Sequence, residues 1–426
     1  MQQRWFEICL YLHISNALVI VVVAVAARFD VFRYCIPGWS LYLLDNLRER
    51  TFHTFSTSLI IADRDPQRKL RGEQGIRVYT NSVNNQPTTL LVQLHLPPKF
   101  TPRAGQWVYV KVPSVDNVWH PFSVASGSAD EVMEFLIGIR AGAGHWSLQQ
   151  VEQYGDEEWV QAGVQTWTYQ LYRLAVRHLA KGTGTLPAQI RGAYGSAFDM
   201  CFQSRFSAAI VIGAGTGLTA ALSALREMFH LRRRQLPMPQ LVWFVWACPR
   251  VDDLLWFWSV LVELLLGALH DGTLRPQAKW NANSKVLDWL GFTVYVTRSD
   301  AALMSQFLHE TEPRSRTWSI SEEHSDCGHS TGSRGRSFDP NTVRLDLRCL
   351  LHKWMTHDKR LLESAIDGKA AHISKLMRFV RDEAVAGGEE GARTCISFCG
   401  PSNLAHVIGD CAKRSGSAFE FSADSQ

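Results

Sequence analysis

Apolar residues near the amino terminus form one long uncharged run. Between residues 8 and 27 no side chain carries a formal charge apart from what His13 holds, and about 20 apolar residues in a helix span the hydrocarbon core of a bilayer. A signal peptide is the alternative, but the run is long for one and leads into Arg28 and Asp30 without a clear cleavage site. The pattern therefore predicts a membrane helix.

A second apolar stretch, residues 34 to 44, is short and contains Pro37 and Gly38. Such a stretch fits either a half-buried second span or an interfacial helix. We therefore predict that residues 1 to 50 form a membrane helix followed by a short second hydrophobic or interfacial helix.

Short strand-like runs follow at residues 88 to 96, 106 to 112 and 134 to 140. Pro97 and Pro98 separate the first two runs, together with Gly105. Short strands divided by such breakers are typical of an antiparallel β-barrel. We place this barrel at residues 75 to 199.

From residue 208 onward the apolar runs are continuous and alternate with helical stretches, the first helix running from about Thr219 to Leu231. Buried strands that alternate with helices predict a parallel α/β sheet covered on both faces, here at residues 200 to 426. The predicted strands are residues 208 to 213, 241 to 247, 292 to 297 and 394 to 398.

Residues 311 to 341 interrupt this second part of the chain. They are rich in Ser, Arg, Gly and Asp and nearly lack aliphatic residues, which predicts a disordered surface insertion. Ser319 and Ser337 each have an arginine within three residues upstream, so one interpretation is a regulatory loop that is phosphorylated. The other interpretation is an ordinary solvated loop.

Composition and charge mainly exclude certain classes of protein and partner. Hydrophobic residues make up 46% of the chain, charged residues 20%, and the net charge is +4, so neither a largely disordered chain nor a transporter with many spans fits. No Lys/Arg block is interleaved with aromatic residues, which argues against nucleic acid as a partner. The nine cysteines contain no CxxC pair, so we expect thiols in a reducing compartment.

The loop from Gly213 to Thr219 joins a predicted strand to a predicted helix. Gly215 and Gly217 would let backbone amides approach a pyrophosphate, which a helix N-terminus also attracts. The spacing is GxGxG rather than the GxGxxG of the dinucleotide fingerprint. Taken alone, the loop fits a plain strand-to-helix turn equally well.

The residues His120 to Ser123, called here the flavin motif, carry side chains suited to a flavin. Pro121 fixes the backbone, Phe122 can pack beside a cofactor, and Ser123 can donate a hydrogen bond to a flavin ring nitrogen. Alone, His120 could equally be a satisfied polar residue at a barrel rim. The prediction of a flavin and nicotinamide enzyme comes from the order of several weak motifs: the flavin motif, Arg140 with its fork for phosphate, Gly192 to Gly195, the glycine loop and Cys399-Gly400-Pro401.

In this order the motifs resemble those of the ferric reductase and NADPH oxidase family. Residues from about 75 to the end resemble its dehydrogenase half, and residues 1 to 50 resemble its last membrane helices. The segment between residues 147 and 192 has no counterpart. The matches are WHPFSVAS for the family's HPFTxxS, GIRAGAGHWS for HIRxxGDWT, Gly-Ala-Tyr-Gly for Gly-Pro-Tyr-Gly, and an intact Cys-Gly-Pro.

The resemblance implies an antiparallel β-barrel that binds FAD, of the ferredoxin-reductase type, followed by an α/β nucleotide-binding domain. It implies that Ser123 lies near the flavin N5, that Arg140 binds the FAD pyrophosphate, and that the Cys399 thiol lies beside the nicotinamide carbon that gives up hydride. Ser123 and Cys399 are therefore the expected catalytic residues. The expected cofactor-binding residues are Trp119, His120, Pro121, Phe122, Ser123, Ser126, Ile139, Arg140, Trp146, Ser147, Gly213, Gly215, Thr216, Gly217, Thr219, Arg250, Cys399, Gly400 and Pro401.

Family members hold two haems between histidine pairs on neighbouring membrane helices. His13 fits one position, but Ala26 stands thirteen residues later where the second histidine belongs, and the opposing helix is missing from the sequence. The resemblance therefore implies no haem in this chain alone, and it indicates a haem-bearing membrane subunit as one route for the electrons.

Two departures concern the nicotinamide side. In many oxidases of the family a Trp-x-Cys strand end precedes an arginine that binds the 2'-phosphate of NADPH. Here Trp246-Ala247-Cys248 precedes Pro249, and the arginine is Arg250, which favours NADPH and leaves NADH open. Gln426 replaces the terminal aromatic residue that covers the flavin in the family's oxidases.

The resemblance implies a membrane-bound flavoprotein, with its dehydrogenase portion in the cytosol, that passes hydride from NAD(P)H to FAD and single electrons to an acceptor. A ferric chelate is the first expectation for that acceptor, and membrane lipid is a further expected partner. The alternatives are superoxide formation, a diaphorase-like activity, or a truncated paralogue without enzymatic activity.

Overall fold

The structure is a computed structural model. It describes residues 29–61, 75–80, 87–139, 166–181, 184–248, 286–287, 289–296, 369–386 and 393–425, and the single residues 19, 22, 261, 264, 265, 267, 268 and 273. Within these residues no helix is both long enough and apolar enough to cross a bilayer.

The described elements alternate in type in the second half of the chain and are mostly strands in the first. The helices are α1 (Phe29–Phe52), α2 (Trp167–Lys181), α3 (Leu218–Arg233), α4 (Lys369–Ala386) and α5 (Ser402–Arg414). The strands are β1 (Thr54–Ile60), β2 (Arg77–Thr80), β3 (Pro87–His95), β4 (Trp107–Lys111), β5 (His120–Ser123), β6 (Val132–Gly138), β7 (Thr185–Tyr194), β8 (Ala208–Ala214), β9 (Leu241–Cys248), β10 (Val286–Leu287), β11 (Leu290–Val296), β12 (Thr394–Gly400) and β13 (Phe419–Ser425). All seven strands predicted from the apolar runs are present.

The chain divides into two compact units. The first comprises Met1–Phe100, Val108–Pro121 and Gly138–Ala193, and the second comprises Thr101–Trp107, Phe122–Ile137 and Tyr194–Gln426. The division passes through the middle of β5. The boundary that the sequence placed between residues 199 and 200 stays a prediction.

The first unit is built on an antiparallel sheet with the strand order β2-β3-β1-β7-β4-β5. Leu59 of β1 pairs with Leu94 of β3 on one side and with Leu186 of β7 on the other, and all three side chains are buried. Along β7 buried and less buried residues alternate from Thr185 to Gly192, as expected when one face of a sheet covers a core. The predicted antiparallel β architecture is confirmed.

Helix α1 exposes an unusual number of apolar side chains. It contains Pro37, and large hydrophobic side chains are exposed along it: Ile36, Trp39, Leu41, Tyr42, Leu43, Leu44 and Leu47. A run of this size on one helix indicates a surface that contacts something other than water. The predicted helical character of residues 34 to 44 is confirmed.

The second unit is built on a six-stranded sheet with the order β10-β11-β9-β8-β12-β13. All neighbours from β11 to β13 pair in parallel, and only β10 and β11 are antiparallel. Every residue of β8 and of β12 is buried, as expected for central strands covered on both faces. The predicted parallel α/β sheet is confirmed.

Helices α4 and α5 cover one face of this sheet. Met377 and Val380 of α4 and Ile408 of α5 form one buried cluster with Trp243 of β9 and Phe398 of β12. Alternate residues of β12 face this cluster, so Cys395, Ser397 and Cys399 lie on the opposite face.

Candidate functional site

The strand order of the second unit reverses between β8 and β12. After β8 the chain passes through α3 to β9 on one side of β8, whereas β12 lies on the other side. In open α/β sheets a ligand binds outside the carboxyl ends of the strands at such a switch point. The segments at that point are the glycine loop and the turn Cys399-Gly400-Pro401.

These two segments touch through their backbones. A Cβ added at Gly217 would lie 2.0 Å from the Cys399 carbonyl oxygen and 3.0 Å from the Gly400 nitrogen. A Cβ added at Gly400 would lie 2.7 Å from the Ala214 Cβ. Glycine at position 217 is therefore needed for contact between two chain segments, a reason that differs from the approach to phosphate expected from the sequence.

Gly215 has the properties that a phosphate-binding turn needs. Its φ is +57° and a Cβ added there would meet nothing within 4 Å, so its backbone faces open space in a conformation that favours glycine. Thr216 beside it is exposed. Helix α3 begins at Leu218, directly after a 3-10 turn of Gly215–Gly217, and the Leu218 amide donates a hydrogen bond to the Gly215 carbonyl oxygen. The part of this turn that an anion could reach is therefore the backbone of Gly215 and Thr216. This cradle fits a nucleotide pyrophosphate.

Two other predicted residues at the switch point, Thr219 and Gly213, are turned inward. Thr219 is buried, and its hydroxyl donates a hydrogen bond to the Leu136 carbonyl oxygen at 3.4 Å. Gly213 packs on α3, since an added Cβ would lie 2.8 Å from the Leu218 Cα. Pro401 is exposed and precedes the first residue of α5.

Cys399 is buried, with an exposed fraction of 0%. Burial, with a smaller contribution from the charge of Asp424, raises the pKa of this thiol to about 12. The group is therefore a neutral thiol at physiological pH. A neutral thiol is a weak nucleophile, so its role at a nicotinamide would be contact and hydrogen bonding.

Helix α3 carries a polar stripe that the sequence reasoning missed. Ser223 is fully buried; its hydroxyl donates to the Ser126 carbonyl oxygen at 2.6 Å and accepts from the Gly105 amide at 3.0 Å. Arg226 pairs with Glu134 at 2.5 Å and with Asp130 at 3.5 Å. Polar residues spaced three or four apart on an otherwise apolar helix are the signal that could have revealed them.

Ser126, an expected cofactor-binding residue, is part of this network. It is buried, and its hydroxyl accepts a hydrogen bond from the Glu134 amide at 3.2 Å. Its carbonyl oxygen accepts the bond from Ser223. Ser126 therefore links the segment that follows the flavin motif to α3.

The flavin motif forms strand β5. Pro121 is exposed, while Phe122 and Ser123 are half-buried, so the strand is open enough to receive a ligand. The Phe122 ring contacts the Phe135 ring edge-on at 6.5 Å. This contact fixes the aromatic side chain of the motif.

The His120 imidazole lies between two partners. Its Nε2 is 3.3 Å from the Asp116 Oδ2, and its ring stacks on the Trp167 ring with centroids 4.3 Å apart. Burial lowers the pKa of His120 below its ordinary value of 6.5, and the Asp116 charge opposes this shift. Trp167 is the first residue of α2, in a segment to which the sequence motifs gave no role.

Two cations lie against Trp119, the residue before the flavin motif. The Lys111 Nζ is 4.9 Å and the Arg191 Cζ 4.4 Å from the Trp119 ring centroid. Such a pair is suited to a pyrophosphate, so these side chains fit the FAD phosphates. Sequence reasoning missed both, because single basic residues on separate strands show no pattern until the strands pair.

Several expected site residues have no structural test. Arg140, Trp146, Ser147, Arg250 and His13 lie outside the described residues, as do Gln426 and the insertion at residues 311 to 341. Ile139 is described, and its amide donates a hydrogen bond to the Thr88 carbonyl oxygen at 2.9 Å.

Known proteins are similar in sequence to this chain. A family profile described as an FAD-binding domain matches residues 76–195. Ferric reduction oxidase 5 of Arabidopsis thaliana is 24% identical over 244 residues, covering 57% of this chain and 28% of the relative. NADPH oxidase 1 of Mus musculus is 25% identical over 192 residues, covering 44% and 27%.

Residues 76–195 form an FAD-binding domain, and the chain is similar to ferric reduction oxidases and NADPH oxidases. The domain includes the flavin motif, Lys111, Arg191 and helix α2. The expectation of FAD as a cofactor is thereby confirmed. The chain spans about a quarter of the length of the relatives it matches.

A distant likeness to a solved structure is also present. A ferredoxin NADP+ reductase from Neisseria gonorrhoeae with bound FAD and NADP aligns over 87% of this chain and 98% of its own chain, with a TM-score of 0.41 and 10% identity. This likeness is too distant to transfer site residues.

Proposed function

We propose that the chain is an NAD(P)H-dependent FAD oxidoreductase that passes electrons to a ferric chelate. One observation carries the proposal: the chain combines an FAD-binding domain with a parallel sheet whose glycine loop and Cys-Gly-Pro turn meet at the strand-order switch. FAD supplies the conversion between hydride, which carries two electrons, and single-electron transfer.

On the FAD side, the described residues divide the binding task. Lys111 and Arg191 would hold the pyrophosphate, because both are cations beside the flavin motif. Ser123 would donate its hydroxyl hydrogen to the flavin ring near N5. Arg140 would add a further phosphate contact, as the family motif implies.

On the nicotinamide side, backbone groups carry most of the proposed binding. The amides of Gly215 and Thr216, just before α3, would hold the pyrophosphate. The neutral Cys399 thiol would contact the nicotinamide ring. Arg250 would bind the 2'-phosphate, which favours NADPH over NADH.

Superoxide formation is a second candidate, because NADPH oxidase 1 of Mus musculus and ferric reduction oxidase 5 of Arabidopsis thaliana match at similar identity, 25% and 24%. The two activities differ in the acceptor that takes the single electron. They are separated by offering ferric citrate and oxygen to the same preparation.

The proposed location is a membrane, with residues 8 to 27 as the anchor and the dehydrogenase portion in the cytosol. The exposed apolar side chains of α1, such as Leu41 at 68% and Leu44 at 62%, support a contact with lipid. Flotation of the full chain with liposomes tests the attachment, and loss of flotation when Leu41 and Leu44 are both replaced by Ser would assign part of it to α1.

The activity test uses the full chain purified in detergent. The expected result is a flavin absorbance spectrum that bleaches on addition of NADPH and recovers with ferric citrate, with formation of ferrous iron that a chromogenic chelator detects. Reduction of cytochrome c that superoxide dismutase abolishes would favour the second candidate. Absence of flavin absorbance, or of bleaching by either NADPH or NADH, would contradict the proposed function.

A further inference from the structure

Helix α2 lies between Ser147 and Gly192, in a segment of the FAD-binding domain to which the sequence motifs gave no role. Trp167 is its first residue and is buried. The Trp167 ring stacks on the His120 imidazole with centroids 4.3 Å apart and an angle of 27° between the planes. The segment therefore contributes a side chain directly to the flavin motif.

Asp116 contacts the edge of the same imidazole ring. Its Oδ2 is 3.3 Å from the His120 Nε2, and its Oδ1 accepts a hydrogen bond from the Val118 amide at 3.0 Å. An ionised carboxylate only accepts hydrogen bonds. The His120 Nε2 therefore carries the ring hydrogen and donates the hydrogen bond to Asp116. The His120 Nδ1 then keeps a lone pair and is a hydrogen-bond acceptor.

Positive charge beside the flavin motif comes from residues other than His120. Lys111 and Arg191 lie against Trp119, while burial lowers the pKa of His120 and keeps the imidazole neutral near pH 7. A neutral acceptor is suited to a hydroxyl group, and the cations are suited to phosphate. The motif thus offers two different kinds of contact to one ligand.

We propose that Trp167 is a positioning residue for FAD: with Asp116, it holds His120 so that Nδ1 accepts a hydrogen bond from a hydroxyl of the ribityl or ribose part of FAD. The inference rests on the proposed function in one respect, that the flavin motif binds FAD. It assigns a role in the cofactor site to a helix of the FAD-binding domain that carries none of the motifs named from the sequence.

The test is a titration of full-length apoprotein with FAD, followed by quenching of flavin fluorescence. Trp167→Met removes the ring but keeps an apolar side chain, and we expect the Kd for FAD to rise about 10-fold, or about 1.4 kcal/mol. Trp167→Phe retains an aromatic ring over His120, so its Kd should stay within about threefold of wild type.

Tyr169→Leu is the matched control for loss of packing. Tyr169 is a buried aromatic residue of the same helix, but its ring pairs with Tyr172 at 5.9 Å. We expect this variant to lower the melting temperature of the apoprotein about as much as Trp167→Met does, with a Kd for FAD within about twofold of wild type.

A double-mutant cycle separates positioning from general stabilisation. If Trp167 acts through His120, adding Trp167→Met to His120→Gln should weaken FAD binding by less than about twofold beyond His120→Gln alone. Additive losses would overturn the proposal. So would a Kd for Trp167→Met equal to that of wild type, or a Kd increase that Tyr169→Leu matches.

Two further outcomes are distinguishable. A wild-type chain that binds no FAD would overturn the proposed function, whereas a wild-type chain that binds FAD with Trp167→Met unchanged would overturn this inference alone. If Trp167→Met does not fold, Asp116→Asn carries the test from the other side of the imidazole. A severalfold increase in its Kd for FAD is expected, and no change would overturn the proposal.

Discussion

Around the flavin motif the important groups are aromatic rings and charged side chains. The Asp116 Oδ2 lies 3.3 Å from the His120 Nε2, and the Arg191 Cζ lies 4.4 Å from the centroid of the Trp119 ring. At the switch between β8 and β12 the important groups are backbone atoms, approaching so closely that a Cβ at Gly217 would lie 2.0 Å from the Cys399 oxygen. The first region should therefore respond to changes of charge and ring, and the second to changes of volume. Each of the following experiments tests one side of this difference.

The largest effect is expected for Gly217→Ala. The added methyl group would overlap the Cys399 carbonyl group, and overpacking of this kind costs about 3 kcal/mol when the backbone has to move. We expect a loss of that size in the free energy of urea unfolding and no bleaching of the flavin by NADPH. Gly38→Ala is the control, since a Cβ there meets nothing within 4 Å; an equal loss in both variants would refute the argument from volume.

The next effect concerns the chemistry of Cys399. With its pKa raised to about 12, the thiolate fraction at pH 8 should be roughly 1,000-fold or more below that of an unfolded cysteine. Iodoacetamide should therefore label Cys399 at least about 100-fold more slowly in the folded protein than in urea, as measured by peptide mass spectrometry. The raised pKa also means that stability falls as the pH rises from about 9 toward 12, where only the unfolded state ionises. Rapid labelling of folded protein at pH 8 would contradict the buried, neutral thiol.

A moderate effect is expected for Arg191→Met. Loss of one cation beside the flavin motif should weaken FAD binding about 10-fold at low salt, with a smaller difference at high salt because screening weakens the contact that was lost. Arg205→Met is the matched control, because Arg205 also lies on an aromatic ring, 4.6 Å from the Phe206 centroid. Equal Kd values for the two variants would show that Arg191 has no special role.

The smallest effect concerns His120 and pH. Its pKa is lowered in the folded state by burial, whereas the unfolded residue titrates near 6.5. As the pH falls below about 6.5 the unfolded state takes up a proton first, so stability decreases in that window. His120→Gln should flatten this part of a urea-unfolding profile measured from pH 5 to 8. An unchanged profile would mean that another group produces the slope.

Periodicity predicted much of the fold. The continuous apolar runs became β8, β9, β11 and β12, because strands covered on both faces need apolar side chains at every position. The helix expected from about Thr219 to Leu231 is α3, Leu218–Arg233. The apolar pattern of residues 34 to 44 predicted a helix but could not give its length, since α1 extends to polar residues on both sides.

The candidate site was only partly visible in the sequence. The flavin motif and the glycine loop could be named because their chemistry is contained in adjacent residues. Lys111 and Arg191 could not, because they come together only when β4 and β7 pair. Ser126 was expected to bind cofactor, yet its hydroxyl and carbonyl groups are engaged by Glu134 and Ser223.

The sequence by itself determined what is local: strand and helix periods, the glycine turn, and the motifs that indicate FAD. The tertiary structure alone decided what depends on contacts between distant residues. It placed Trp167 on His120 and the Cys399 carbonyl against Gly217. The physical reason is that hydrophobic period and turn chemistry act over a few residues, whereas ring stacking and close backbone approach depend on which elements pack together.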